Sequence, residues 1–264
     1  MEIIDLHWGQ LAIGFLMMIA PGWILWRYGT GLGRKLLVSS VRMVLQLVFV
    51  GFYLQFLFAY DNPWINLAWI LVMVGVADLA TIDRSELRYT WSLIVPLFGS
   101  TFLGIIVIDL FFLELVIVQL KTFLQAQYAI PITGMVLGNC LRSNVIGINA
   151  FYYGLRERED QYRFYLASGA TRREALRPFI ARALSKSANP TLATMATIGL
   201  VSLPGMMTGQ ILSGSSPIIA IKYQIMIMIA IFSGTVLSVY LGIRFTNVFV
   251  LDERDMLDKS ILRE

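Results

Sequence analysis

Apolar positions in this chain run on for twenty residues at a time, without the strict alternation of a half-buried strand or the narrow stripe of a surface helix. Seven such stretches stand out, at about 9–26, 38–60, 64–82, 91–113, 128–154, 189–212 and 217–243, each long enough to cross a bilayer as a helix. In hydrocarbon only helices and closed barrels satisfy their own backbone. A barrel would show short alternating segments, and these are absent. The pattern predicts an all-α polytopic membrane protein of about seven transmembrane helices, a single transmembrane domain over residues 1–264. The first stretch is preceded by Glu2 and Asp5 and followed by Arg27, the reverse of a signal peptide, so it counts as the first helix.

Polar residues gather in two places, the segment 156–188 and the tail 244–264. The former reads "REREDQYRFYLASGATRREALRPFIARALSKSA". Tyr162, Tyr165 and Leu166 fall at i, i+3, i+4 with charges around them, which predicts a short amphipathic helix. Gly169 supplies a left-handed stop, and Thr171 with Glu174 is a capping box that starts the next helix. An ordinary interfacial helix lying on lipid fits the same pattern.

Basic residues fix the expected orientation. Arg27, Arg34, Lys35, Arg84 and Arg88, then those from Arg156 to Lys186, then Arg244, Arg254, Lys259 and Arg263 share one side, and Lys121 stands on the other. This predicts the N-terminus outside and the C-terminus inside. Composition agrees, with 57% hydrophobic and 14% charged residues. The net charge of +4 suits an anionic leaflet or an acidic partner and does not imply nucleic acid. One cysteine and one histidine exclude a disulfide framework and a closed Cys/His zinc site.

The candidate transport residues are the polar ones inside the apolar runs. Arg142 lies near the middle of the fifth span, where a charge costs about 3 kcal/mol on insertion scales. Helical geometry puts Asn139, Arg142, Ser143 and Asn149 in one sector and turns Asn144 away. This stripe either lines a passage or clamps helices together. Arg42 and Gln46 sit one turn apart near the inner end of the second span, and Asp78 is placed to pair with Arg42 or Arg142. Asp109 and Glu114 near the outer end of the fourth span either receive a departing cation or face water, and solvation is the expected role of both. Pro204-Gly205 in "LVSLPGMMTGQIL" predicts a kink or hinge, with Met206 and Met207 as adaptable packing or soft ligands, and Gly199, Gly205 and Gly209 as points of close helix approach. No metal site is assigned. The chain has no G-x-x-x-x-G-K-[ST], so energy from ATP would have to come through another subunit.

"RMVLQLVFVGFYL", "IPITGMVLGN", "LASGAT" and "GLVSLPGMMTGQIL" followed by "SPIIAIKYQI" resemble the FetB-type permeases, the membrane subunits of iron-exporting ABC transporters, which have plant relatives in aluminium tolerance. The resemblance implies a bacterial inner-membrane permease with no cofactor of its own. A separate ATPase subunit would carry ATP and Mg, and two copies of each chain would form the exporter. It also implies that residues 157–168 form the helix that docks on the ATPase, with Tyr162, Tyr165, Leu166, Ala167, Ser168, Gly169 and Ala170 as the coupling residues. The older E-A-A-x-x-x-G pattern is matched only in part. Iron or another metal is the implied cargo, while Arg142 suits an anion, a chelate or a nucleotide sugar. A secondary carrier would show paired intramembrane acids and broken helices in two matching halves, which the chain lacks.

Overall fold

The computed structural model describes residues 7–85, 87–112, 124–252 and 255–262, which are helical throughout apart from turns and isolated bridges. Among the described residues five helical segments are long and apolar enough to cross a membrane, Trp8–Arg27, Leu32–Tyr60, Pro63–Arg84, Trp91–Phe112 and Pro217–Val250. The chain divides into two compact units.

The N-terminal unit runs to Tyr60 and includes Leu212–Gly214. It holds α1 (Trp8–Gly14), a 3-10 turn at Phe15–Met18, α2 (Ile19–Arg27) and α3 (Leu32–Tyr60). Gly29 and Gly31 turn the chain between α2 and α3 at φ +60° and +68°, a region that side chains disfavour. The surface of this unit is apolar: Trp23, Trp26, Leu37, Leu45 and Phe52 are all exposed. Such a surface is stable in lipid and costly in water.

The second unit contains α4 (Pro63–Arg84), α5 (Trp91–Asp109), α6 (Ala126–Glu157), α7 (Glu159–Ala167), α8 (Arg172–Thr197), α9 (Gly205–Leu212) and α10 (Pro217–Val250). The Asn62 side chain caps α4 by accepting from the Trp64 amide at 2.9 Å, and Pro63 occupies the first turn, where no amide is needed. α10 is the axis of the unit and packs on α5, α6 and α8. Its approach depends on missing side chains. A Cβ on Gly147 would meet Val239 Cγ1 at 2.5 Å, and one on Gly234 would meet Val136 Cγ1 at 2.8 Å. At Gly104 and Gly242 a Cβ would meet Ser238 and Leu97 at 3.8 and 3.4 Å, an ordinary contact. Apolar burial offers little drive between helices in lipid, so close contact of small residues takes its place.

Two expectations are corrected here. Residues 189–212 are not one kinked span, because α8 begins far upstream at Arg172, on the Thr171–Glu174 capping box, and ends at Thr197. Gly199 then adopts φ +87°, and the chain stays non-helical to Pro204, which disfavours helical geometry at Leu203. The glycines expected to bring helices together there, Gly199, Gly205 and Gly209, have open space where a Cβ would stand. α6 is long but too polar to count among the five apolar spans.

α10 continues to Val250, beyond the predicted end at 243, and the tail folds back instead of trailing. The Arg88 amide donates to the Ile261 carbonyl at 2.7 Å, Leu87 bridges Leu262, and Ile261 and Leu262 are buried. They join a core with Leu93, Phe151, Tyr152, Tyr162 and Phe179.

Gly147→Leu is expected to destabilise the protein by about 1–3 kcal/mol or more through overpacking, since Val239 is β-branched and stiff. Gly138→Ala on the same helix, with nothing within 4 Å of its added methyl, is expected to be neutral or mildly stabilising. Thermal unfolding in detergent checks both, and equal shifts would remove the argument for close packing on α10.

Candidate functional site

A cavity of about 290 Å³ opens between α6, α8, α9 and α10. Met135, Asn139, Arg142, Ser143 and Ile146 line it from α6, which is the i, i+4, i+7, i+8, i+11 face of that helix. α8 adds Pro190, Thr191 and Thr194, the non-helical link adds Ile198, Ser202 and Pro204, and α10 adds Gln224, Ile227, Met228 and Ile231. Arg142 is the only charged one of the described residues on the wall. Among the described residues no carboxylate lies within 4 Å of its guanidinium.

The remaining polar groups are neutral. Asn139 Nδ2 donates to its own helix at the Met135 carbonyl, 2.8 Å away, and Thr194 Oγ1 donates to the Pro190 carbonyl at 3.0 Å. Gln224 is buried, and its Oε1 has no hydrogen-bond partner among the described residues. An orphaned buried amide oxygen is costly and waits for a donor. The wall thus combines one cation, amides, hydroxyls and the thioethers of Met135, Met206 and Met228. No group of three or more His, Cys, Asp or Glu suited to a metal ion occurs among the described residues. The guanidinium, amides and hydroxyls of the wall are hydrogen-bond donors, and its charge is positive.

The predicted stripe is brought together in large part. Asn139, Arg142 and Ser143 share the cavity, and Asn149 lies further along α6 in a second pocket. Asn144 does point elsewhere, with Nδ2 donating to Ser238 Oγ at 2.8 Å. Asp78 does not pair with Arg142. It accepts from Thr101 Oγ1 at 2.8 Å, and Asn144 Nδ2 approaches that same hydroxyl at 3.5 Å. Asn144 and Arg142 are two residues apart, about 200° around α6, so Asp78 belongs to the opposite face. Asp109 is buried at 3% exposure, where solvent was expected, because Thr133 of α6 donates to its Oδ2 at 2.6 Å. Glu114 lies outside the described residues. Arg42 and Gln46 are exposed on α3 of the N-terminal unit. Pro204, Gly205 and Met206 line the cavity, and Met207 is half-buried beside them without lining it.

Thr191, Thr194 and Gln224 were missed. Their signal was present, since an amide or hydroxyl inside an apolar run is as informative as a charge when its partner is unknown.

At the far end of α6, the chain turns through α7 to Gly169 at φ +88° and into α8. Tyr162 faces inward at 1% exposure, with its ring edge-on to Phe179 and its hydroxyl donating to the Asp255 carbonyl at 2.9 Å. Burial first, and then the Asp255 carboxylate, push this phenol above its ordinary range. Arg172 ties the same corner together, with an ion pair to Asp255 at 3.3 Å and a hydrogen bond to the Asn247 carbonyl. Tyr165 and Leu166 are half-buried against the core, and Ala170 is half-buried beside them. Ala167, Ser168 and Gly169 are exposed, and so is Phe164, which the sequence reading passed over on the charged face. In the capping box the Thr171 hydroxyl and then its amide hold the Glu174 carboxyl below the usual carboxylate range.

Residues 8–249 match the family described as Uncharacterised protein family (UPF0014). The chain is 33% identical over 239 residues to the UPF0014 membrane protein slr1647 of Synechocystis, covering 89% of this chain and 90% of that one. It is 30% identical over 243 residues to the probable iron export permease protein FetB of Escherichia coli, covering 89% and 90%. Against Protein ALUMINUM SENSITIVE 3 of Arabidopsis thaliana it is 36% identical over 195 residues, covering 74% and 69%. No solved structure matches it. With apolar helices long enough to span a bilayer and a family match over nearly its whole length, this chain is a multi-pass membrane protein that belongs to the UPF0014 family.

Proposed function

We propose that the chain is the membrane-spanning permease subunit of an ABC transporter, with its C-terminus and the α7–α8 turn in the cytosol of a bacterial inner membrane. The observation that carries this reading is the cavity on α6, in which Arg142, with no carboxylate within 4 Å among the described residues, stands beside the helix break at 198–204. A charge kept in an apolar span without a partner is costly, and a passage for solute and water is what makes it tolerable. Iron or another metal is the first cargo, on the name of the Escherichia coli relative. Because Arg142 repels a bare cation, the metal would cross with anionic ligands around it. A second reading, an anionic organic solute such as a nucleotide sugar, is favoured by the same arginine and by the lack of acids on the wall.

ATP and Mg belong to a separate ATPase subunit in this reading, and two copies of this chain complete the transporter. α7 is the contact. Its buried face, Tyr162 with Asp255 and Phe179, fixes it to α8 and the tail, while Phe164 projects outward at 67% exposure. Movement imposed on α7 would pass through Gly169 into α8, which runs unbroken to the cavity wall at Thr194. The link from Ile198 to Pro204 then lets α9 and α8 shift separately, as a hinge does.

Two outcomes are expected. In vesicles containing the chain and its ATPase, ATP-dependent efflux of iron is expected to fall about tenfold or more in Arg142→Ala, the loss of one charge-assisted contact, with ATPase association intact. Flux of a nucleotide sugar in place of iron, lost with the same variant, would move the cargo to the second reading, and flux without the ATPase would overturn the proposal. Separately, Phe164→Asp is expected to abolish copurification with the ATPase. Tyr162→Phe should preserve it while costing about 1 kcal/mol of stability. Association that survives Phe164→Asp would take α7 out of the contact.

A further inference from the structure

A second pocket, of about 320 Å³, lies between α6 and α8 and shares Ile146 with the larger cavity. Asn149, Tyr153 and Glu157 line it at i, i+4, i+8 on α6, and Arg182 and Lys186 line it at i, i+4 on α8. Two cations one turn apart on a helix repel each other. Among the described residues neither has a carboxylate within 4 Å, and Glu157, the one acid on the wall, is in ion-pair contact with neither. The site therefore carries a net positive charge in a recess whose other polar groups are an amide and a phenol.

We propose that this pocket binds a phosphate-bearing anion, with Arg182 and Lys186 on its oxygens and Asn149 and Tyr153 beside them. The guanidinium fork fits two phosphate oxygens, the ammonium adds a point charge, and an anion between them removes the like-charge penalty. Such a group comes from two sources, the headgroup of an anionic lipid or a soluble phosphorylated solute on its way to the cavity above Ile146. Binding is read directly, so its outcome is separate from whether the chain transports anything.

The test uses the purified full chain in detergent. Native mass spectrometry measures retention of phosphatidylglycerol against phosphatidylcholine, and calorimetric titration measures inorganic pyrophosphate. Arg182→Gln with Lys186→Gln is expected to weaken binding at least about tenfold. Arg173→Gln, exposed on the first turn of α8 and outside the pocket, is expected to change nothing. Glu157→Gln should tighten binding, a gain that loss of structure cannot produce. Selective loss of phosphatidylglycerol in the double variant assigns the site to lipid, and loss of pyrophosphate assigns it to a soluble solute. Should the double variant misfold, Lys186→Gln alone and Glu157→Gln still decide. Binding of neither probe above phosphatidylcholine, equal loss in Arg173→Gln, or no gain in Glu157→Gln overturns the proposal.

Discussion

Close contact along α10 is the constraint on which the second unit depends. Gly147 and Gly234 bring α6 and α10 to a distance that a single Cβ would forbid, and Gly104 brings α5 against the backbone of Ser238. That spacing places Ser238 Oγ within reach of Asn144, and Asn144 next to Thr101, which holds Asp78. A carboxyl at 2% exposure inside an apolar bundle is tolerable only when donors are held at it. The small residues and the polar chain are therefore one device: packing aligns the hydrogen bonds, and the hydrogen bonds fix the rotation of α4, α5 and α6 about α10.

This rotation decides what faces the other way. With Asn144 committed to Ser238, helical geometry leaves Asn139, Arg142 and Ser143 on the side of α8 and α9. The hydrogen-bonded network around Asp78 and the Arg142 cation are thus segregated on opposite faces of one helix. Had Asp78 reached Arg142, the pair would have closed as a salt bridge between α4 and α6. Their separation leaves the guanidinium with no carboxylate within 4 Å among the described residues.

Much of this was legible in the chain. Long apolar runs give the membrane class, the Thr171–Glu174 box gives the start of α8, and the two-residue offset between Arg142 and Asn144 gives the two faces of α6. What was not legible depended on partners distant in sequence. Asp109 looks like a solvated residue near a helix end until Thr133 is found opposite it, and Tyr162 looks like a docking residue until Asp255 and Phe179 cover it. The glycines tell the same lesson. Those beside Pro204 suggested close approach and meet nothing, while Gly147 and Gly234, unmarked in the sequence, carry it. A glycine records that a side chain is missing and not what stands in the gap.

The break between α8 and α9 follows from the same logic. A helix leaving its ladder inside an apolar bundle frees amides and carbonyls, which need water, protein or a cavity wall. The link meets most of that need itself, since the amides of Ile198, Gly199, Leu200 and Val201 donate to the carbonyls of Thr194, Ser202 and Thr197, and Ile198, Ser202 and Pro204 line the cavity. The irregular backbone and Arg142 therefore border the same space. Pro204 keeps a regular helix from running through this stretch, so α8 stops at Thr197 and α9 starts afresh at Gly205. The stretch around Pro204 is thus part of the wall of a charged cavity in an otherwise apolar bundle.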